Sequence, residues 1–144
     1  MENPLELASV LVVEDEQFSQ DFIVQLLKWI GLGDIETADN GAEALEKLAA
    51  RGSAVDLIIT DVSMPEMDGY ELIRRVRLGA VENCQDVPII VLTSHDTEKN
   101  VRHARVLKID SFFVKPPSKV VFERAIRRIV ADRIKAATDA AESP

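Results

Sequence analysis

Residues 55–69 read VDLIITDVSMPEMDG, and the fold depends on how that stretch divides. VDLIIT (55–60) is an apolar, β-branched run of strand length, which predicts a strand covered on both faces. Asp61 stands one residue beyond it. A carboxylate there needs a partner, because an unpaired charge taken out of water is costly. Asp68-Gly69 then opens a helix: Glu71 follows Asp68 at capping-box spacing, and Leu72, Ile73 and Val76 form an apolar face. The unit is strand, acid, loop, helix.

The same alternation runs through the chain. SVLVV (9–13), DIETA (34–38), VPIIVLT (87–93) and SFFV (111–114) read as further strands. Helical spacing joins Phe18, Phe22, Leu26 and Ile30, then Ala42, Leu45, Leu48 and Ala49, then Val101, Ala104 and Leu107. A last helix carries Val121, Phe122, Ala125, Ile126, Ile129, Val130 and Ile134. Asn40 and Glu43 form a second capping box, Gly31 and Gly33 end the first helix, and Gly52 ends the second. The fold class is therefore α/β: a (βα)5, doubly wound, flavodoxin-like parallel sheet of five strands in the order 2-1-3-4-5. DIETA, alternating and charged, suits an edge. The switch point falls between strands 1 and 3, and function is expected at their carboxyl ends.

A chain of 144 residues fits one domain, placed at residues 1–136, with a tail at 137–144 expected to fray. No further domain is expected after the last helix. The net charge of −8 disfavours direct nucleic-acid binding. MENPLELA lacks the marks of a signal peptide, and no apolar run is long enough to span a membrane, so a cytoplasmic location is expected. Cys84, the single cysteine, lies in a polar loop and reads as incidental.

Glu14 and Asp15 end strand 1 and Asp61 ends strand 3; neighbouring strand ends lie about 5 Å apart. Carboxylates that close repel one another unless a cation joins them, and an all-oxygen donor set selects a hard ion such as Mg²⁺. Mg²⁺ commonly shares its shell with phosphate. Thr93 ends strand 4 and Lys115 ends strand 5, adding a hydroxyl and an ammonium. Such a set can hold a phosphoryl group on a carboxylate, with Asp61 as the nucleophile. Pro65 shapes the loop after Asp61, and Lys115-Pro116 is a candidate cis peptide that would aim the lysine inward. Taken alone, an acidic pair after a strand is more often a helix cap than a metal site. The conjunction with Asp61, Thr93 and Lys115 favours the metal.

VVEDE (12–16), TDVSMPEMDG (60–69), VLTS (91–94) and FVKPP (113–117), in this order, resemble the receiver domain of two-component response regulators, of the stand-alone CheY-like type. The resemblance covers residues 8 to 132. It implies that Asp61 accepts a phosphoryl group from a histidine kinase or histidine phosphotransfer protein. Asp15 would then ligate Mg²⁺, Glu14 would assist through water, and the Ser63 carbonyl would add an oxygen. Lys115 would pair with the phosphate, Thr93 would move toward it, and Phe112 would sit at the switch position. Ser63 and His95 would flank the path of the hydrolysing water and set the phosphate lifetime. The output would be a protein contact made by the fourth helix, fifth strand and fifth helix, a face that also serves homodimers in this family. Its target is not legible, and chemistry beyond self-catalysed phosphorylation and dephosphorylation is not expected.

Two departures stand out. Lys108-Ile109 replaces the usual Gly-Ala before strand 5, and a lysine disfavours positive φ, so a different helix end is expected there. The switch aromatic is Phe rather than Tyr. His95 and His103 read as solvated, Phe112 as core packing or switch, and Arg124, Arg127, Arg128, Arg133 and Lys135 as a solvated or docking face. A scaffold that binds partners without phosphate is the alternative function. An aspartyl phosphatase is a third, disfavoured because Ser63 stands where dehalogenase-like enzymes want a second aspartate.

Overall fold

The computed structural model describes residues 4–51, 55–64, 66–94, 102 and 105–142. Five strands, β1 (Ser9–Val13), β2 (Asp34–Ala38), β3 (Leu57–Thr60), β4 (Ile89–Thr93) and β5 (Ser111–Val114), form one sheet in the order β2-β1-β3-β4-β5. All pairings are parallel, with Val13 opposite both Ala38 and Thr60, and Thr93 opposite Val114. Every residue of β1, β3 and β4 is buried, as expected of strands apolar on both faces. DIETA forms one edge and SFFV the other, both only partly buried.

Two cores flank the sheet. On one face Val10 and Val12 pack with Ile23, Leu26 and Leu27 of α1 (Gln17–Ile30) and with Phe122 and Ile126 of the C-terminal helix (Lys119–Glu142). On the other, Leu11 and Val13 pack with Ala44 and Leu48 of α2 (Gly41–Ala50) and Leu72, Ile73 and Val76 of α3 (Gly69–Arg77). Full burial of each such aliphatic side chain contributes about 1.5–3 kcal/mol. The helix starts are capped as their sequences predict: the Asn40 side chain accepts from the Glu43 N–H, and Asp68 from the Glu71 N–H, both at 2.8 Å. Gly31 ends α1 at φ 120°, with its N–H on the Leu27 and Lys28 carbonyls.

Several expectations change. Phe18 and Phe22 are 78% and 45% exposed, and the buried face of α1 is instead Gln20, Ile23, Leu26, Leu27 and Ile30. Val121 and Ile134 are likewise exposed on the C-terminal helix. That helix runs through Glu142, its residues 135–142 dominated by alanine and other strong helix formers. Cys84, expected in a polar loop, is buried: Val81, Cys84 and Val87 of that loop join the second core.

Lys108 adopts φ 54° despite its side chain. The Arg77 guanidinium donates at 3.0 Å to the carbonyls of Leu107 and Lys108, holding that turn. Of the expected fourth helix, residues 102, 105 and 106 are helical, while Asn100, Val101, His103 and Ala104 lie outside the described residues, as do Gly52, Pro65 and His95. Arg127, Arg128 and Arg133 turn back to their own chain, on the Ile30 carbonyl, the Ser111 hydroxyl and the Val55 carbonyl.

Candidate functional site

β1 and β3 are adjacent, so the residues that follow them emerge side by side at the carboxyl edge of the sheet. The Asp61 N–H continues the ladder by donating to the Val13 carbonyl at 3.0 Å, and the Glu14 N–H donates to Ala38 at 3.0 Å. The main chain, not side-chain packing alone, therefore brings the acids together. One carboxylate oxygen from each of Glu14, Asp15 and Asp61 lies within 4.8 Å of the others.

Lys115 enters from β5. Its N–H bonds the Thr93 carbonyl at 2.8 Å, and the Lys115–Pro116 peptide is cis. The Lys115 Nζ donates to Asp61 Oδ2 at 2.9 Å and to Glu14 Oε1. Asp61 Oδ1 accepts from the Val62 N–H at 2.6 Å. Glu14 is 1% exposed, and burial pushes its carboxyl up to about 7; Lys115 opposes that rise and Asp61 adds to it. For Lys115, burial alone favours the neutral amine, but the bonds to Glu14 and Asp61 outweigh it and hold the ammonium above its ordinary range.

The loop after Asp61 is closed by Gly69. The Gly69 N–H donates to the Val62 carbonyl at 2.8 Å, and a Cβ at 69 would stand 2.0 Å from the Asp61 carbonyl oxygen. Only glycine permits that approach, which explains the Asp-Gly that follows the acid. Ser63 is exposed and borders a shallow depression with Asp15, Met64 and Asp68.

Thr93 is 1% exposed at the end of β4. Side chains alternate along a strand, so Thr93 shares a face with Val91, whose partner across the ladder is Phe112. Phe112 is half-buried against the second core. Glu14, Asp15, Asp61 and Lys115 therefore converge on one point, with Thr93 and Phe112 on a neighbouring face.

The response regulator receiver domain family matches residues 10–127. The chain belongs to the response regulator receiver family. As a receiver of the CheY-like kind, it is a domain of two-component signalling. It is 31% identical over 121 residues to chemotaxis protein CheY1 of Helicobacter pylori, covering 84% of this chain and 95% of that one. Among solved structures, chemotaxis protein CheY4 of Vibrio cholerae superposes with a TM-score of 0.74 at 29% identity, over 85% of this receiver and 98% of that chain. A response regulator receiver domain protein from Clostridium thermocellum superposes at 0.79 with 25% identity, over 90% and 99%. No helix among the receiver's described residues is long and apolar enough to cross a membrane.

Proposed function

We propose that this receiver is a phosphorylation-driven switch in which Asp61 is the phosphoacceptor. The observation that carries the reading is the Lys115 Nζ, 2.9 Å from Asp61 Oδ2, beside three carboxylates whose oxygens lie within 4.8 Å of one another. An Asp61 oxygen attacks phosphorus in a phosphohistidine of a histidine kinase or phosphotransfer protein. The P–N bond breaks, and its electron pair leaves with the imidazole nitrogen. Lys115, already at the nucleophile, stabilises the charge that develops on the phosphoryl oxygens.

An oxygen-only donor set without histidine or cysteine fits a hard divalent cation. Asp15, Asp61 and the Ser63 carbonyl would hold Mg²⁺, with Glu14 assisting through water. Bound there, the ion supplies charge neutralisation for the phosphoryl oxygens. Water then attacks the phosphorus, releasing inorganic phosphate and returning Asp61 to the free carboxylate; Ser63 and His95, the latter outside the described residues, are the positions at which substitution should change that lifetime. Thr93 turns toward the phosphoryl group, and Phe112 follows on the same sheet face. The surface around β5 and its flanking helices shifts its population toward the form that a downstream protein binds, or that pairs two copies.

Asp61→Asn tests the reading. A folded variant should lose Mg²⁺-dependent labelling by acetyl phosphate and give no amide shifts with beryllofluoride at Thr93 and Phe112. Labelling that survives the substitution would assign the nucleophile elsewhere. Partner binding that ignores both phosphate and its mimic would favour the scaffold reading.

A further inference from the structure

Gln20 lies on the core-facing side of α1, 6% exposed, one turn before Ile23. Leucine or methionine would fill the same place without polar atoms that need partners. The Gln20 Nε2 instead donates to the Glu14 carbonyl at 3.0 Å, to Asp39 Oδ1 at 3.0 Å, and more distantly to the Ala38 carbonyl at 3.4 Å. One amide thus ties the ends of β1 and β2 together at the acidic edge.

The peptide unit between Glu14 and Asp15 is gripped at both ends. Its oxygen is held by Gln20, and its N–H, that of Asp15, donates to Glu14 Oε2 at 3.1 Å. That peptide carries the N–Cα bond of Asp15, so holding it narrows the region the Asp15 carboxylate can reach. Asp15 is exposed, so no apolar packing orients its carboxylate. We propose that Gln20 is a positioning residue of the acidic site: by pinning the Glu14–Asp15 peptide to the end of β2, it aims the Asp15 carboxylate at the place where a divalent cation binds. This rests on the phosphoacceptor reading above. The amide also gives the Asp39 carboxylate a neutral donor, keeping it engaged outside the cluster.

The test uses the full chain and Mg²⁺ alone, titrated by calorimetry. Gln20→Met keeps the side chain's length but removes its donors. It should weaken Mg²⁺ binding about tenfold, as loss of a group that orients a metal ligand commonly does. The amide resonances of Asp15 and Asp39 should move before any metal is added. Ile23→Val, on the same helix face, should leave the affinity unchanged. If Gln20→Met does not fold, Gln20→Asn, one methylene shorter, is expected to show the same loss. Parent affinity in a folded Gln20→Met or Gln20→Asn variant overturns the proposal, as does an equal loss in Ile23→Val. A parent chain that fails to bind Mg²⁺ sinks the phosphoacceptor reading itself, which separates the two failures.

Discussion

Asp61 is confined by its own backbone as much as by its partners. Its N–H is on Val13, its carbonyl accepts from the Thr60 hydroxyl at 2.9 Å, and Gly69 passes so close that no Cβ fits. Gly69→Ala must therefore displace main chain rather than a flexible side chain. It should cost about 3 kcal/mol in urea unfolding and slow Asp61 labelling as well. Glu14 yields a pH prediction. Its folded-state pKa is raised from 4.5 to about 7, so the folded chain holds the proton more tightly than the unfolded chain does. The stability contributed is full below about pH 4.5 and is lost as pH rises through about 7. In metal-free buffer, the stability of the parent relative to Glu14→Gln should fall across that window by up to about 3 kcal/mol. A difference that is flat with pH would contradict the assignment. Neither effect was legible in the sequence, since Glu14 and Asp15 look alike there. Only the packing makes one buried and the other exposed.

At the scale of elements, α1 shows where periodicity misleads. Phe18, Phe22, Leu26 and Ile30 recur every four residues, but a helix turns in 3.6, so each step drifts by about 40°. Three steps carry Phe18 well away from the face that Ile30 buries, and the sheet selects Gln20 and Ile23 in its place. A glutamine carries no apolar signal, which is why the residue we place behind Asp15 was missed. Arg77 was invisible for a related reason, because it works through carbonyls. Its guanidinium donates to Gln85 and Val87 at 2.8 and 2.7 Å as well as to Leu107 and Lys108. That binds the end of α3 to the loop before β4 and to the turn before β5. Arg77→Met, which keeps the stem and loses the fork, should destabilise by about 2–4 kcal/mol. Lys108→Gly should stabilise by up to about 1 kcal/mol, by relieving the left-handed conformation that Arg77 holds. Thermal unfolding of the two variants checks both signs.

For the whole molecule, topology was readable because each strand carries its own address. The fully apolar runs go to the centre, DIETA goes to the edge, the acids and the lysine sit just past strand ends, and the hydroxyl is the last residue of β4. The register then does what no single segment can, bringing Glu14, Asp61 and Lys115 from three parts of the chain into hydrogen-bond contact. Less legible was the C-terminal helix, which extends on helix propensity well beyond Val130, its last buried residue among those described. The central claim is that this convergence makes Asp61 a phosphoacceptor. The direct measurement is to incubate the full chain with acetyl phosphate and Mg²⁺, reduce any acyl phosphate with borohydride, and map the trapped residue by peptide mass. Asp61 should be reduced in the presence of Mg²⁺ and spared when the ion is chelated. Reduction at another carboxylate, or equal labelling with and without Mg²⁺, would contradict the account.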